Sequence, residues 1–161
     1  QYEGCIGVKT GYTKVSGRCL VSAAQRDSLT LICVTLADPN DWHDHTALLD
    51  YGFSRYERMQ FATAGEMTFT FPVAGGTAET VSAVNQTPLA VTLPRGDHEI
   101  THIVTAKQFY YAPIASGELL GTITYYDRGT IIASSAIIAC ETVEPRETPS
   151  LWQRILAFFR R

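Results

Sequence analysis

Several features are missing from the 161-residue sequence, and each absence removes a class of protein. No run approaches the roughly 18 consecutive apolar residues of a membrane-spanning helix, although 45% of the residues are apolar. Charge of one sign is nowhere concentrated. Thirteen Lys and Arg against sixteen Asp and Glu give a net charge of −3, scattered along the chain, whereas a nucleic-acid binder would gather a basic face. The four cysteines, Cys5, Cys19, Cys33 and Cys140, include no Cys-x-x-Cys pair, which argues against a zinc site. They fall in strand-like runs, where a free cysteine behaves as a small buried hydrophobe. A Cys5–Cys19 bridge would require their strands to pair, and all four are expected reduced. A phosphate-binding loop around Lys9 would need glycines at positions 8 and 3, which hold Val8 and Glu3. No metal or other cofactor is expected. With neither an initiator methionine nor a signal peptide, the sequence reads as a processed chain or a piece of a longer one.

What is present supports one compact domain or two small ones. Residues 5–12, 17–25 and 29–36 read as successive strands, with turns at Ser16-Gly17 and Asp27-Ser28. Short connections favour an antiparallel meander. The third run, from Leu29 to Leu36, is apolar enough for a strand buried on both faces. The cluster Asp38-Pro39-Asn40-Asp41 predicts a helix start near Asp41, Ala47, Leu48, Leu49, Tyr51 and Phe53 supply its apolar face, and Gly52 marks its stop.

Beyond residue 60 the texture changes. Met67, Phe69 and Phe71 alternate with polar residues, as do Leu89, Val91 and Leu93, and further short strands follow near 99–105, 118–126 and 130–142. Turn signals at Gly75-Gly76, Pro94-Arg95-Gly96-Asp97, Ser116-Gly117 and Asp127-Arg128-Gly129 separate them. Short strands at this spacing predict an all-β sandwich or barrel over 61–145. The fold class is thus α+β: antiparallel strands plus a helix over 1–60, then the all-β domain, then a linker and terminal helix over 146–161. In that helix, capped by Ser150, the residues Leu151, Trp152, Ile155, Leu156, Phe158 and Phe159 share one side, and Gln153, Arg154 and Arg161 take the other. Such a pattern suits the plane of a membrane interface. The same residues also fit a helix docked on its own domain, or the approach to a spanning helix.

The chemistry-bearing stretch is Val8-Lys9-Thr10-Gly11-Tyr12 on the first strand. Lysine, threonine and glycine together often form only a solvated turn. As one of the signatures of serine enzymes acylated by β-lactams, they instead place an ammonium and a hydroxyl on a cleft wall, and Gly11 leaves space because it has no Cβ. His43 and His45 flank Asp44, but their spacing puts them on different sides of a helix, so both are expected to be exposed and structural. His98 and His102 are expected at the surface. Ser16 and Ser22 have no recognisable acid–base partner in the sequence, Arg18 and Arg26 are expected on a solvated strand face rather than at a cleft rim, and Phe109-Tyr110-Tyr111, which also suits a stacking platform for a ligand, reads as core and rim of the β domain.

The motifs occur in one order: Gly7 to Thr13, Ser16 to Ala24, then Asp41-Trp42 through Asp50-Tyr51-Gly52-Phe53. Thr92-Leu93-Pro94-Arg95-Gly96 and Ala112-Pro113-Ile114 follow, with Gly117 and Gly121. This combination resembles the carboxy-terminal portion of a low-molecular-mass penicillin-binding protein, the serine-type D-alanyl-D-alanine carboxypeptidase family. The resemblance implies a penicillin-binding/β-lactamase-like domain, here partial, an all-β domain and a membrane-anchor helix. It implies a hydrolase of the bacterial cell envelope, outside the cytoplasm and peripheral to the membrane, which trims peptidoglycan stem peptides through an acyl-enzyme and is inhibited by β-lactams. Lys9 and Thr10 would bind the substrate carboxylate, Gly11 would permit its approach, and the Tyr12 backbone N–H would be an oxyanion donor. No serine here has a lysine three residues later, and no Ser-x-Asn is present. The nucleophile is therefore expected in an amino-terminal portion, and this chain alone is expected to be inactive. The alternative reading is a non-catalytic β module that binds the cell wall or a protein partner. A β-lactamase fits poorly with the trailing β domain.

Overall fold

The structure, a computed structural model, describes residues 2–147; the expected linker beyond Glu147 and the helix bearing Leu151, Trp152, Ile155, Leu156, Phe158 and Phe159 lie outside the described residues. The chain forms two compact units. The first comprises residues 1–61 and 90–99, the second residues 62–89 and 100 onward.

The first unit opens with an antiparallel meander of β1 (Cys5–Thr13), β2 (Gly17–Arg26) and β3 (Leu29–Thr35), in spatial order β1-β2-β3. Asp27 and Ser28, with φ of 46° and 65°, close the β2–β3 hairpin without glycine. Positive φ at both central residues matches the strands' right-handed twist. One face of the sheet carries Leu20, Ala24, Leu29 and Cys33, all buried under α1 (Asp41–Arg55). The helix buries Asp41, His45, Leu49 and Phe53, one residue every four, which is a single narrow stripe. Trp42, Leu48 and Tyr51 on its other sides are at least half exposed. On the sheet face away from α1, Ile32, Val34 and Leu36 are 56–74% exposed, so β3 is not the doubly buried strand expected from its composition.

Gly52 does not stop the helix, which continues three residues further. A Cβ at Gly52 would lie 2.6 Å from Leu31 Cδ1, so glycine here lets the helix approach β3 closely. After α1 the chain passes directly into β4 (Tyr56–Ala62), which pairs with β7 (Leu89–Pro94) in a two-stranded sheet. Arg95 N–H donates to Arg55 O at 2.7 Å, and its Nε donates to Phe53 O at 3.2 Å. These bonds tie residues 90–99 to the end of α1, and by contact they group with the first unit.

The second unit contains β5 (Thr68–Ala74), β6 (Thr80–Asn85), β8 (Ile100–Ala106), β9 (Tyr110–Tyr111), β10 (Leu119–Asp127) and β11 (Thr130–Ala139). They form one six-stranded sheet in the order β8-β10-β11-β6-β5-β9, antiparallel except for β5–β9. The Tyr110 hydroxyl donates to Leu120 O, joining edge strand β9 to β10, four places away. Strands four places apart in a flat sheet stand about 19 Å apart, so the sheet is rolled upon itself. Of the sandwich or barrel expected, the domain takes the barrel-like form, one curled sheet whose interior holds Val81, Ala83, Leu120, Ile123, Ile137 and Ala139, each at most 3% exposed.

The cysteines are all unpaired. Cys33 is buried, and burial pushes its thiol pKa up; Cys5 and Cys19 are half-buried and Cys140 is exposed, so only one of the four is the buried hydrophobe that was expected. Cys5 stands opposite Ala24 and Cys19 opposite Gly11, so they do not face each other across the ladder.

Candidate functional site

Register builds the site. Lys9 pairs with Val21, Thr10 with Leu20, Gly11 with Cys19 and Tyr12 with Arg18. Side chains alternate across a strand, so Thr10 and Tyr12 lie on the helix side and Lys9 on the opposite side. Because β1 is the sheet's outer strand, Lys9 and Thr10 meet only at its free edge. The Lys9 ammonium donates to the Thr10 carbonyl at 2.6 Å. A Cβ at Gly11 would find only Cys19 atoms at 3.8–3.9 Å, ordinary contact, and one at Gly7 would find nothing within 4 Å. The chain's own packing therefore does not demand glycine at either position.

Thr10, Gly11, Tyr12, Arg18, Cys19 and Asp41 line a depression of about 410 Å³. Its floor is an ion pair in which Arg18, half exposed as expected of a solvated strand face, reaches the buried Asp41. Arg18 Nη2 donates to Asp41 Oδ1 at 2.9 Å, and Arg18 Nε donates to Asp41 Oδ2 at 3.1 Å. Asp41 is 2% exposed and also accepts the Trp42 N–H at 2.9 Å. The Arg18 hydrogen bonds hold the Asp41 carboxyl below the usual carboxylate range and push the Arg18 guanidinium further up. The two-point contact ties the start of α1 to β2, directly beside the Tyr12 end of β1. Arg26 is likewise engaged, with its guanidinium over the rings of Tyr2 and Phe53 at 4.7 Å each.

His45 departs most from expectation. It is 3% exposed, its Nδ1 is 2.6 Å from Ser22 Oγ, and its Nε2 is 3.0 Å from Thr35 Oγ1. One imidazole thus links α1 to β2 and β3. Sequence reasoning missed it because Ser22 and His45 are 23 residues apart. The only signal was position: His45 falls four residues after Asp41 and four before Leu49, on the buried stripe. Ser22 therefore has the partner that the sequence did not reveal. The far nitrogen meets a hydroxyl rather than a carboxylate, so this is a buried clamp rather than an acid–base relay. His43 is exposed, 3.4 Å from Asp44, as expected. Ser16 bonds Thr13 within its own turn. Among the described residues no group of His, Cys, Asp or Glu is arranged to hold a metal, and no helix is long and apolar enough to cross a membrane.

The family described as penicillin-binding protein 5, C-terminal domain, matches residues 56–145, more than half of the chain. The D-alanyl-D-alanine carboxypeptidase DacF of Bacillus subtilis is 26% identical over 148 residues, 89% of this chain and 38% of that protein. The D-alanyl-D-alanine carboxypeptidase DacC of Escherichia coli is 29% identical over 86% of this chain and 36% of its own length. The chain thus spans little more than a third of these relatives. Among solved structures, penicillin-binding protein 5 from Haemophilus influenzae superposes with a TM-score of 0.70 and 26% identity, over 86% of this chain and 43% of that one. A peptidoglycan synthesis regulatory factor (PBP3) from Streptococcus pneumoniae shares the fold at a TM-score of 0.58 and 22% identity, covering 88% of this chain and 43% of that one. The chain belongs to the penicillin-binding protein 5 family, whose C-terminal domain it carries.

Proposed function

We propose that this chain is part of a serine-type D-alanyl-D-alanine carboxypeptidase that trims peptidoglycan stem peptides at the outer face of the bacterial membrane. The observation that carries the reading is the edge position of Lys9-Thr10-Gly11. An edge strand offers unpaired backbone groups to an extended peptide, which can lie against it as one more strand. A stem peptide added there brings its terminal carboxylate to the Lys9 ammonium and the Thr10 hydroxyl, a charge-assisted pair of contacts. Gly11, with no Cβ, leaves the strand flat where the peptide passes. The Tyr12 N–H then donates to the oxygen that becomes negative when the scissile carbonyl is attacked. The nucleophilic serine and its lysine base come from a portion of the protein outside these 161 residues. β-Lactams would acylate the same serine and use the same carboxylate grip. The amphipathic stretch around Trp152 and Phe158 holds the enzyme at the membrane surface.

The test is acylation of the whole gene product by a fluorescent penicillin, together with D-alanine release from a peptide ending in D-Ala-D-Ala. Both should occur, and Lys9→Ala should slow both about 100-fold or more, the scale of a lost electrostatic contact in the transition state. A folded protein that neither takes the label nor releases D-alanine would refute the assignment.

A further inference from the structure

We infer that the depression walled by Phe109 and Tyr111 binds the sugar rings of a neutral, N-acetylated glycan. This rests on the proposed peptidoglycan substrate and extends it from the stem peptide to the glycan strand. Backbone alternation sets up the site. Tyr110 points into the rolled sheet, where its ring meets Phe71 edge-on at 5.5 Å and its hydroxyl donates to Leu120 O and accepts the Lys107 N–H at 3.1 Å. Its neighbours must then point outward. Phe109 is 45% exposed and Tyr111 72%, with ring centroids 5.2 Å apart at 80°. Their backbone is anchored through Tyr110, so the rings are presented rather than trailing. With Lys107, Gln108 and Glu118 they bound a space of about 670 Å³, within the ~300–1,000 Å³ typical of small-molecule sites.

The chemistry selects the ligand class. An aromatic face is electron-rich and attracts weakly positive C–H groups, and the flat side of a pyranose offers a row of them. Gln108 both donates and accepts, Lys107 donates and Glu118 accepts, a set matched to hydroxyl and acetamido groups. One cation and one anion cancel, so nothing here selects anionic lipid, which needs clustered lysines and arginines, or single-stranded nucleic acid, which needs a basic groove. The edge strand β9 is two residues long and pairs only with Val73 and Ala74, too short to template an added peptide strand. A protein partner would have to cover about 1,000 Å² or more, of which two rings are a small part.

The test is NMR titration of the full ¹⁵N-labelled chain with the tetramer of N-acetylglucosamine. Saturable shifts should be confined to residues 106–111 and the neighbourhood of Glu118. Tyr111→Ala and Phe109→Ala should each weaken binding about 10-fold, and Tyr111→Phe, which keeps the ring, less than about 3-fold. Because both side chains face solvent, the melting temperature should not move, and this serves as the folding control. No saturable shift, or a response unchanged by Tyr111→Ala, would overturn the inference. So would Tyr111-dependent binding to phosphatidylglycerol vesicles without glycan binding. The probe contains no peptide, so the two readings separate. Glycan binding without penicillin labelling leaves this site standing and removes the carboxypeptidase. Labelling without glycan binding does the reverse.

Discussion

Asn85 offers the sharpest test of how the β domain holds together. It ends β6 and is fully buried, with three side-chain hydrogen bonds to backbone groups. Oδ1 accepts the Met67 N–H at 2.8 Å, and Nδ2 donates to Thr63 O at 2.7 Å and Thr87 O at 3.0 Å. One amide thereby stitches the turn before β5 to the turn after β6. Asn85→Ala leaves the Met67 N–H without its acceptor and removes one contact from each of the Thr63 and Thr87 carbonyls, of which Thr63 O keeps the Glu66 N–H at 3.4 Å. An unsatisfied buried donor costs about 1–3 kcal/mol and each of the two lost acceptor contacts about 1, so the loss should be about 3–5 kcal/mol. That is a large part of a typical domain stability of about 5–15 kcal/mol. In urea, with a slope of about 1–3 kcal/mol per molar, the midpoint should fall by more than about 1 M. Asn85→Asp sharpens the test. One carboxylate oxygen can still accept from Met67, but the other faces two carbonyl oxygens and only the protonated acid can donate there. The carboxyl should therefore have a folded pKa above the unfolded value of about 3.9. Its stabilising contribution is present below that value and is lost as pH rises through the folded pKa. Asn85→Asp should thus approach the native protein near pH 4 and fall away toward pH 7. An Asn85→Ala loss under about 1 kcal/mol, or an Asn85→Asp curve parallel to the native protein, would refute the reasoning.

Three further outcomes are expected. Gly121→Ala should cost about 1–3 kcal/mol and speed amide exchange along β8, because its Cβ would stand 2.7 Å from Thr105 O on the neighbouring strand, where only backbone could yield. His45→Ala should leave the Ser22 and Thr35 hydroxyls unsatisfied, at about 2–4 kcal/mol. Combining His45→Leu with Ser22→Ala and Thr35→Val should recover most of that in denaturant melts, and failure to recover would remove the clamp. Asp41 titrates below its ordinary range because of the Arg18 hydrogen bonds. Its contribution is therefore present above the unfolded carboxyl value and lost as pH falls through the folded one, so Asp41→Asn should flatten the acid limb of amide exchange in α1.

Short-range pattern was enough for the meander, the helix start and β5, β7, β8, β10 and β11, whereas β4, β6 and β9 were not read from it. Strand alternation, breaker clusters and the ordered motifs around Lys9 and Arg95 are local, and β1 to β3 begin at the residues read for them and end within one of those read. The edge position of Lys9-Thr10-Gly11 follows from the same meander, since the first strand of three has one free side.

What tertiary structure alone decided lies where partners are distant in sequence. Ser22 and His45, and Arg18 and Asp41, are each 23 residues apart and meet only once α1 lies across β2. Gly52 looked like a helix stop because glycine ends helices by default, yet the nearness of Leu31 gives it a packing role instead. Residues 90–99 carry ordinary strand and turn signals and reveal nothing about which unit they join. Their pairing with β4, and the bonds from Arg95 to Phe53 and Arg55, tie them to the end of α1, while the matched C-terminal domain spans them within residues 56–145. The roll of the six-stranded sheet rests on contacts such as Tyr110 with Leu120, which no periodicity in the sequence encodes. Local propensity can name an element and its faces, but the partner of a face depends on closing long loops, and that is determined by the packing of the whole unit.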